Sequence, residues 1–120
     1  NNVVLRYADV ALMLAEAYYH GGDAANAQKY LNLVRNRAGL SSVTPSGTAL
    51  RDAIYKERQR EFAYEFKAFS DMKRGWTKAE MNDLMKADGA TEYSDTDYYL
   101  PIPHTQQILN PEGLYQNPGY

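Results

Sequence analysis

The order of apolar and polar residues predicts that most of this chain is helical. After an extended lead-in at residues 1–5, residues 6–20 are apolar around almost the whole helical circumference, and Gly21 and Gly22 end the pattern. A second amphipathic helix follows to about residue 38, with Asp23 as its N-cap and Gly39 just past its last turn. Because the first helix is apolar nearly all round, we expect it to pack between neighbouring helices.

The segment from residue 48 to residue 74 predicts one long helix with an unusual face. Apolar and aromatic residues recur at three- and four-residue steps, and charged residues share their face. Glu57, Glu61 and Glu65 form an i, i+4 column among the aromatic residues. An ordinary amphipathic helix keeps its carboxylates in water, so this mixture indicates that some of the charges are buried in pairs.

The polar stripe of the first helix supplies partners for these charges. We expect Arg58 to pair with Glu16 or Asp9, and Glu57 or Glu61 to pair with Arg6 or with an arginine of the second helix. The residues predicted to form this structural charge network are Arg6, Asp9, Glu16, Glu57, Arg58 and Glu61.

Beyond residue 75 the chain predicts a short helix and then an irregular tail. Thr77 and Glu80 have the T-x-x-E spacing of a capping box, which predicts a helix over residues 78–87. Pro101 and Pro103 push the residues before them out of helical space, so residues 98–120 are predicted to be extended. The length of 120 residues suits a single domain, here of the all-α class.

The first two helices, about residues 6–38, match the pattern of a tetratricopeptide-like pair. Leu14, Ala15 and Tyr18 in the first helix and Ala27 and Leu31 in the second occupy the small and large positions at which such helices interlock. A lone pair cannot bury its apolar faces. Either the long third helix or chain outside this sequence must complete the core.

Composition excludes several partners. Thirteen basic and fifteen acidic residues give a net charge of −2 with no basic block, which argues against a nucleic-acid partner. Cysteine is absent, so disulfides and thiolate sites are excluded and the redox compartment stays open. No apolar run approaches the roughly 20 residues of a transmembrane segment, and the first residues have no signal-peptide pattern.

The sequence predicts no catalytic residue, metal or cofactor, and hence no enzyme. The column Glu57, Glu61 and Glu65 has carboxylates one turn apart, as in a glycosidase, but Arg58 and Arg60 would keep them ionised, whereas a general acid needs a raised pKa. A structural ion network is the better interpretation. The two histidines, His20 and His104, have no neighbouring ligand pattern, and no nucleophile elbow or phosphate loop is present.

Aromatic residues near the end of the chain are the candidate ligand contacts. Trp76 follows a glycine at the end of the predicted long helix, where its ring could face a sugar or pack on the short helix. Eleven tyrosines suit either core edges or sugar-stacking surfaces. The aromatic residues predicted as candidate contacts are Trp76, Tyr93 and Tyr98.

Four pieces of sequence, in this order, carry a resemblance to a known family. They are the helical pair, the run KERQREFAYE with DMKR after it, the segment YLPIP and the closing QNPGY. Together they resemble the C-terminal portion of the SusD/RagB family of outer-membrane nutrient-binding lipoproteins. The sequence departs from the family at residues 67–70, where members more often carry a glycine, a basic residue and an aromatic residue.

The resemblance implies a non-catalytic, surface-exposed lipoprotein used in starch or polysaccharide utilisation. Such a protein captures oligosaccharide and passes it to a SusC-like TonB-dependent transporter. The resemblance also implies an outer-membrane location, through a lipid anchor that a longer parent protein would carry and that this chain is expected to lack. Because the family binds glycans largely outside this region, the chain is expected to be mainly scaffold. The alternative, a tetratricopeptide-type adaptor, would need further repeats on either side.

Overall fold

The computed structural model describes residues 5–120, which contain six helices and no strand. This confirms the all-α class, while the predicted lead-in lies mostly outside the described residues. The helices are α1 (Tyr7–His20), α2 (Ala24–Arg37), α3 (Gly47–Glu61), α4 (Ala68–Gly75), α5 (Lys78–Ala87) and α6 (His104–Leu109). The chain divides into two compact units, Asn1–Gly75 and Trp76–Tyr120. The expectation of a single domain stays a prediction.

Small residues let α1 and α2 pack closely. Ala11 and Ala15 of α1 and Ala27 of α2 are buried, and the rings of Tyr18 and Tyr30 stack with centroids 5.6 Å apart. The Asp23 carboxylate accepts a hydrogen bond from the backbone N–H of Asn26 at 3.0 Å, which is the predicted N-cap. That the pair is a tetratricopeptide-like repeat stays a prediction.

The prediction of one long helix over residues 48–74 is wrong. Helix α3 ends at Glu61, residues 62–67 form a turn, and α4 begins at Ala68. The Arg6 guanidinium donates a hydrogen bond to the backbone carbonyl of Glu61, and the N–H of Glu65, which would bond that carbonyl in a continuous helix, bonds Phe62 instead at 2.9 Å. The Arg6 side chain therefore occupies the carbonyl that a further turn of α3 would use.

The core of the first unit draws on three helices and the turn. Leu50 and Ile54 of α3, together with Phe62 from the turn, pack with the buried apolar residues of α1 and α2. Two further α3 residues, Glu57 and Arg58, are buried despite their charge. Charged groups buried in this way need partners, and those partners define the site described below.

The second unit is built from short elements. The predicted helix over residues 78–87 is present as α5, with both hydrogen bonds of the Thr77–Glu80 capping box. The predicted extended tail is interrupted by α6, which is a correction. Pro103 stands at the N-cap of α6, and its carbonyl accepts the N–H of Gln106 at 2.8 Å. Proline is compatible with a helix start because the first N–H groups have no partner within the helix.

None of the helices in the described part of the chain has the length and apolar character that crossing a membrane requires.

Candidate functional site

The centre of the charge network is a buried arginine between two aspartates. Arg58 donates from Nη2 to Asp9 Oδ1 at 3.1 Å, and its Nε lies 2.9 Å from Asp71 Oδ2. All three side chains are at most 4% exposed. The guanidinium carbon also lies 5.2 Å from the centre of the Phe62 ring, a cation–π distance. The group thus joins α1, α3 and α4 through charges that are almost completely buried.

A second cluster surrounds the carboxylate of Glu61. Both Arg6 and Arg37 donate to Glu61 Oε1, and Arg6 also donates from Nε to Glu65 at 2.9 Å. The guanidinium of Arg6 lies 4.6 Å from the centre of the Phe62 ring. The sequence predicted that Glu57 or Glu61 would pair with Arg6 or with an arginine of the second helix, and Glu61 pairs with both Arg6 and Arg37.

The remaining predicted members are paired at the edges of the network. Glu57 pairs with Arg35 of α2 at 3.0 Å. Glu16 accepts hydrogen bonds from the Tyr55 hydroxyl at 2.8 Å and from Arg74 Nε at 3.1 Å. Of the two partners predicted for Arg58, Asp9 is the one it contacts, and Glu16 pairs with Arg74 instead. Arg35 and Arg37 are the arginines of the second helix, which the sequence predicted as partners without naming them. The other members of the network that were not predicted are Glu65, Lys67, Asp71 and Arg74.

Two carboxyl groups of the network, those of Asp9 and Glu16, have pKa values below their ordinary ones. Burial by itself would raise the pKa of Asp9, but hydrogen bonds and positive charge from Lys67 and Arg58 outweigh it and hold this pKa below its ordinary value. The pKa of Glu16 is lowered in the same way, against its burial, by Arg74 and Tyr55. Burial and the Glu16 acceptor raise the pKa of Tyr55. None of these shifts makes a carboxylate into a proton donor at neutral pH.

A pocket of about 450 Å³ opens beside the network. One side is formed by α1, and the other by the turn at residues 62–67 together with α4. Its base consists of Asp9, Arg58 and Asp71, and Phe66 lies at its edge with a fully exposed side chain. We call it the Phe66 pocket. Its remaining polar lining residues are Glu16, His20, Lys67, Ser70 and Arg74.

Phe66 is unusual in conformation as well as in exposure. Its φ of 57° makes it the one residue besides glycine with a left-handed backbone among residues 5–120. The only aromatic neighbour of comparable exposure in the turn is Tyr64, which is 95% exposed and does not line the pocket. The sequence carried no signal for this turn, because its periodicity continued through it.

The three candidate ligand contacts lie in the second unit. Trp76 is 6% exposed, and Tyr93 and Tyr98 are partly buried. Lys78 lies 6.0 Å from the centre of the Tyr98 ring. Whether these residues contact a ligand stays a prediction.

The two histidines lie apart from any cluster of metal ligands. His20 ends α1 and His104 begins α6. Over the described range, residues 5–120, no group of three or more histidine, aspartate or glutamate side chains has the arrangement of a metal site.

Comparison with known proteins gives one family throughout. The family model described as "SusD family" matches residues 1–120. Two curated relatives come from Formosa agariphila: SusD-like protein P2 is 32% identical over all of this chain, and SusD-like protein P25 is 35% identical over the same span. The chain spans about a quarter of their length, 26% and 25% respectively.

A solved structure supports the same relationship. A SusD-like protein from Bacteroides fragilis, known from a crystal structure, is 30% identical in sequence to this chain, and the two structures superpose with a TM-score of 0.75. The match covers 98% of this chain and 26% of that protein. The helical arrangement described above therefore corresponds to one portion of a larger SusD-like protein.

Proposed function

We propose, from the premise that this chain belongs to the SusD family, that it forms part of a non-catalytic protein that captures glycans at the bacterial outer membrane. The observation that carries this proposal is the family match over residues 1–120, together with the named SusD-like relatives. The protein would act in nutrient uptake by passing oligosaccharide to a SusC-like TonB-dependent transporter. A lipid anchor in a longer polypeptide would hold it at the cell surface.

Within such a protein, this chain is proposed to act mainly as scaffold. The buried ion pairs of Arg58 connect α1, α3 and α4. A fold loses much of its stability when one member of such a pair is removed. The buried charges of these pairs are engaged with one another, which suits a supporting role. The main glycan-binding surface would then lie in the remaining three-quarters of a protein as long as the relatives.

The pKa shifts of the carboxyl groups in the network support a non-catalytic role. Glycoside hydrolysis needs one carboxyl group with a raised pKa to protonate the leaving oxygen. The pKa values of Asp9 and Glu16 are shifted in the opposite direction, because each carboxylate accepts hydrogen bonds from cationic side chains. The charge network therefore favours binding or structure over acid–base chemistry.

The proposal is tested by expressing the full-length protein and running it in native gels that contain a panel of soluble polysaccharides. We expect at least one polysaccharide to retard the protein, no release of reducing sugar, and co-purification with a TonB-dependent transporter. If every polysaccharide leaves the mobility unchanged, the glycan-binding proposal fails. Specific retention on peptide ligands instead would favour the adaptor alternative.

Hydrolysis is examined with Glu57→Gln and Glu61→Gln as controls. Release of reducing sugar by the native protein that these substitutions abolish would show that the protein is an enzyme. Trp76→Ala in the isolated chain tests the second unit: tight oligosaccharide binding that this substitution removes would place the main site in this chain.

A further inference from the structure

We propose that the Phe66 pocket is an accessory binding site for one small neutral polyol, such as a single sugar ring. The choice of a sugar rests on the proposed glycan-binding function, whereas the site itself rests on the geometry of the first unit. This site is separate from the main glycan surface of the longer protein, and its affinity is weak because it holds only one ring.

The shape of the pocket suits a small molecule. Its volume of about 450 Å³ falls within the roughly 300–1,000 Å³ of ordinary ligand sites. Its base is held by the ion pairs of Arg58 with Asp9 and Asp71, whose side chains are buried. A base fixed in this way is already ordered before a ligand arrives, which lowers the entropic cost of binding.

The charges that line the pocket favour a neutral ligand. Three cationic side chains, those of Arg58, Lys67 and Arg74, face three carboxylates, those of Asp9, Glu16 and Asp71. They are already paired: Lys67 donates to Asp9, and Arg74 lies 2.7 Å from Asp71 and 3.1 Å from Glu16.

A charged ligand would have to disrupt such pairs, since it meets as many like charges as opposite ones. A hydroxyl group both donates and accepts hydrogen bonds. It can therefore bond a carboxylate on one side and a guanidinium or ammonium group on the other while the ion pairs stay in place. A polyol carries several such groups around one compact ring.

Phe66 supplies the apolar part of the site. Its side chain is fully exposed, and its φ of 57° is one that a bulky residue rarely adopts. Conformations of this kind are concentrated at ligand sites, where the surrounding structure imposes them. An exposed ring beside paired charges offers a flat face to the C–H groups of a sugar, while Ser70 and His20 add exposed polar groups.

The experiment is a titration of the isotopically labelled 120-residue chain with glucose, galactose and myo-inositol, followed by amide chemical shifts. Inorganic phosphate serves as the charged probe. We expect at least one of the neutral compounds to shift the amides of His20, Lys67 and Ser70 together, and to bind more tightly than phosphate.

Two substitutions locate the binding. Phe66→Gly removes the ring and suits the left-handed backbone, so it should keep the fold and weaken binding at least about tenfold. Tyr64→Ala is the matched control, because Tyr64 is similarly exposed but lies outside the pocket lining. It should change the affinity by less than about twofold.

Three results would overturn the inference: no concerted shift of the pocket amides with any neutral compound, unchanged binding in Phe66→Gly, or tighter binding of phosphate. If the pocket fails in any of these ways while the full-length protein still binds polysaccharide, the accessory site is wrong and the proposed function stands. If the full-length protein binds no polysaccharide either, both are wrong.

Discussion

The two units of this chain are stabilised in different ways. The first unit, Asn1–Gly75, buries an apolar core from α1, α2 and α3 and places a network of buried charges beside it. The second unit, Trp76–Tyr120, has helices of ten and six residues and uses polar side chains to hold its backbone. Gln116, for example, bonds both the N–H of Ile102 at 2.8 Å and its carbonyl at 3.0 Å.

This difference determines how each unit should respond to mutation. In the first unit one side chain serves several buried partners, so its loss leaves charges without compensation in a medium of low dielectric. In the second unit the side-chain hydrogen bonds of Gln116, Asn117 and Tyr120 are partly buried or exposed, so water can take the place of a lost partner.

The largest effect is expected from Arg58→Ala, which leaves Asp9 and Asp71 buried without their shared cation. Removal of one member of a buried ion pair costs about 3–5 kcal/mol of unfolding free energy. Lys56→Ala, two residues earlier on the exposed face of α3, should change it by less than about 0.5 kcal/mol. Urea denaturation measures both. Equally small changes would show that the network is energetically unimportant.

Acid should destabilise the first unit. The pKa values of Asp9 and Glu16 are lower in the folded state than their ordinary values of 3.8 and 4.5. The stability that these two ionised carboxylates contribute is therefore fully present at a pH above their ordinary pKa values. It is lost as the pH falls through their lower, folded-state pKa values. Unfolding free energies measured from neutral pH into this acid range should therefore fall.

The second unit supplies the control for this pH dependence. The pKa of Asp95 is also lowered, by Asn82 and Lys78, but its side chain is 67% exposed, so its contribution is screened by solvent. Asp95→Asn should leave the acid dependence nearly unchanged, whereas Asp9→Asn should flatten it. The reverse result would contradict the assignment of acid sensitivity to the buried network.

Close packing provides the next contrast. An added Cβ at Gly75 would lie 2.7 Å from the ring of Tyr55, which is buried and hydrogen-bonded to Glu16. Gly75→Ala should therefore cost about 1–3 kcal/mol of unfolding free energy. At Gly113 an added Cβ would lie 2.6 Å from the side chain of Asn110, which is exposed and free to turn. Gly113→Ala should be nearly neutral in the same denaturation experiment.

Loss of the capping box should loosen α5. Thr77→Ala leaves the N–H of Glu80 without its side-chain acceptor, which costs about 1 kcal/mol of helix stability. Hydrogen exchange should accelerate at the first amides of α5 while the amides of α1 keep their protection. Thr91→Ala, an exposed threonine in the same unit, is the control. Faster exchange throughout α1 would show that the two units do not respond separately.

The smallest effect is a gain in stability. Phe66→Gly relieves a left-handed conformation that costs about 1–2 kcal/mol for ordinary residues, against the roughly 0.5–1 kcal/mol of entropy that glycine loses on folding. A net gain of about 0.5 kcal/mol in unfolding free energy is expected. Tyr64→Gly has no such strain to relieve and should destabilise slightly. A loss of stability in Phe66→Gly would mean that the ring itself makes a stabilising contact.

Features that depend on neighbouring residues could be predicted from the sequence. Asp23 caps α2 three residues away, Thr77 and Glu80 cap each other, and Gly39 follows the end of α2 with a positive φ. Such signals act over one helical turn, so the sequence alone contains both partners. The order of its short motifs was likewise enough to indicate the family that the comparisons confirm.

The features that were missed depend on residues far apart in the sequence. The Arg6 side chain bonds the Glu61 carbonyl from 55 residues away, and without that contact the periodicity of residues 48–74 indicates one helix. The sequence predicts that Arg58 is buried among carboxylates. It does not identify Asp71 as one of them, because Asp71 reaches Arg58 only through the turn at residues 62–67. The Phe66 pocket exists only through that turn. Local periodicity therefore predicts most of the helices and the presence of buried charge. Which charges pair depends on the packing of the helices, because side chains that meet across a fold are brought together by packing and not by their spacing along the chain.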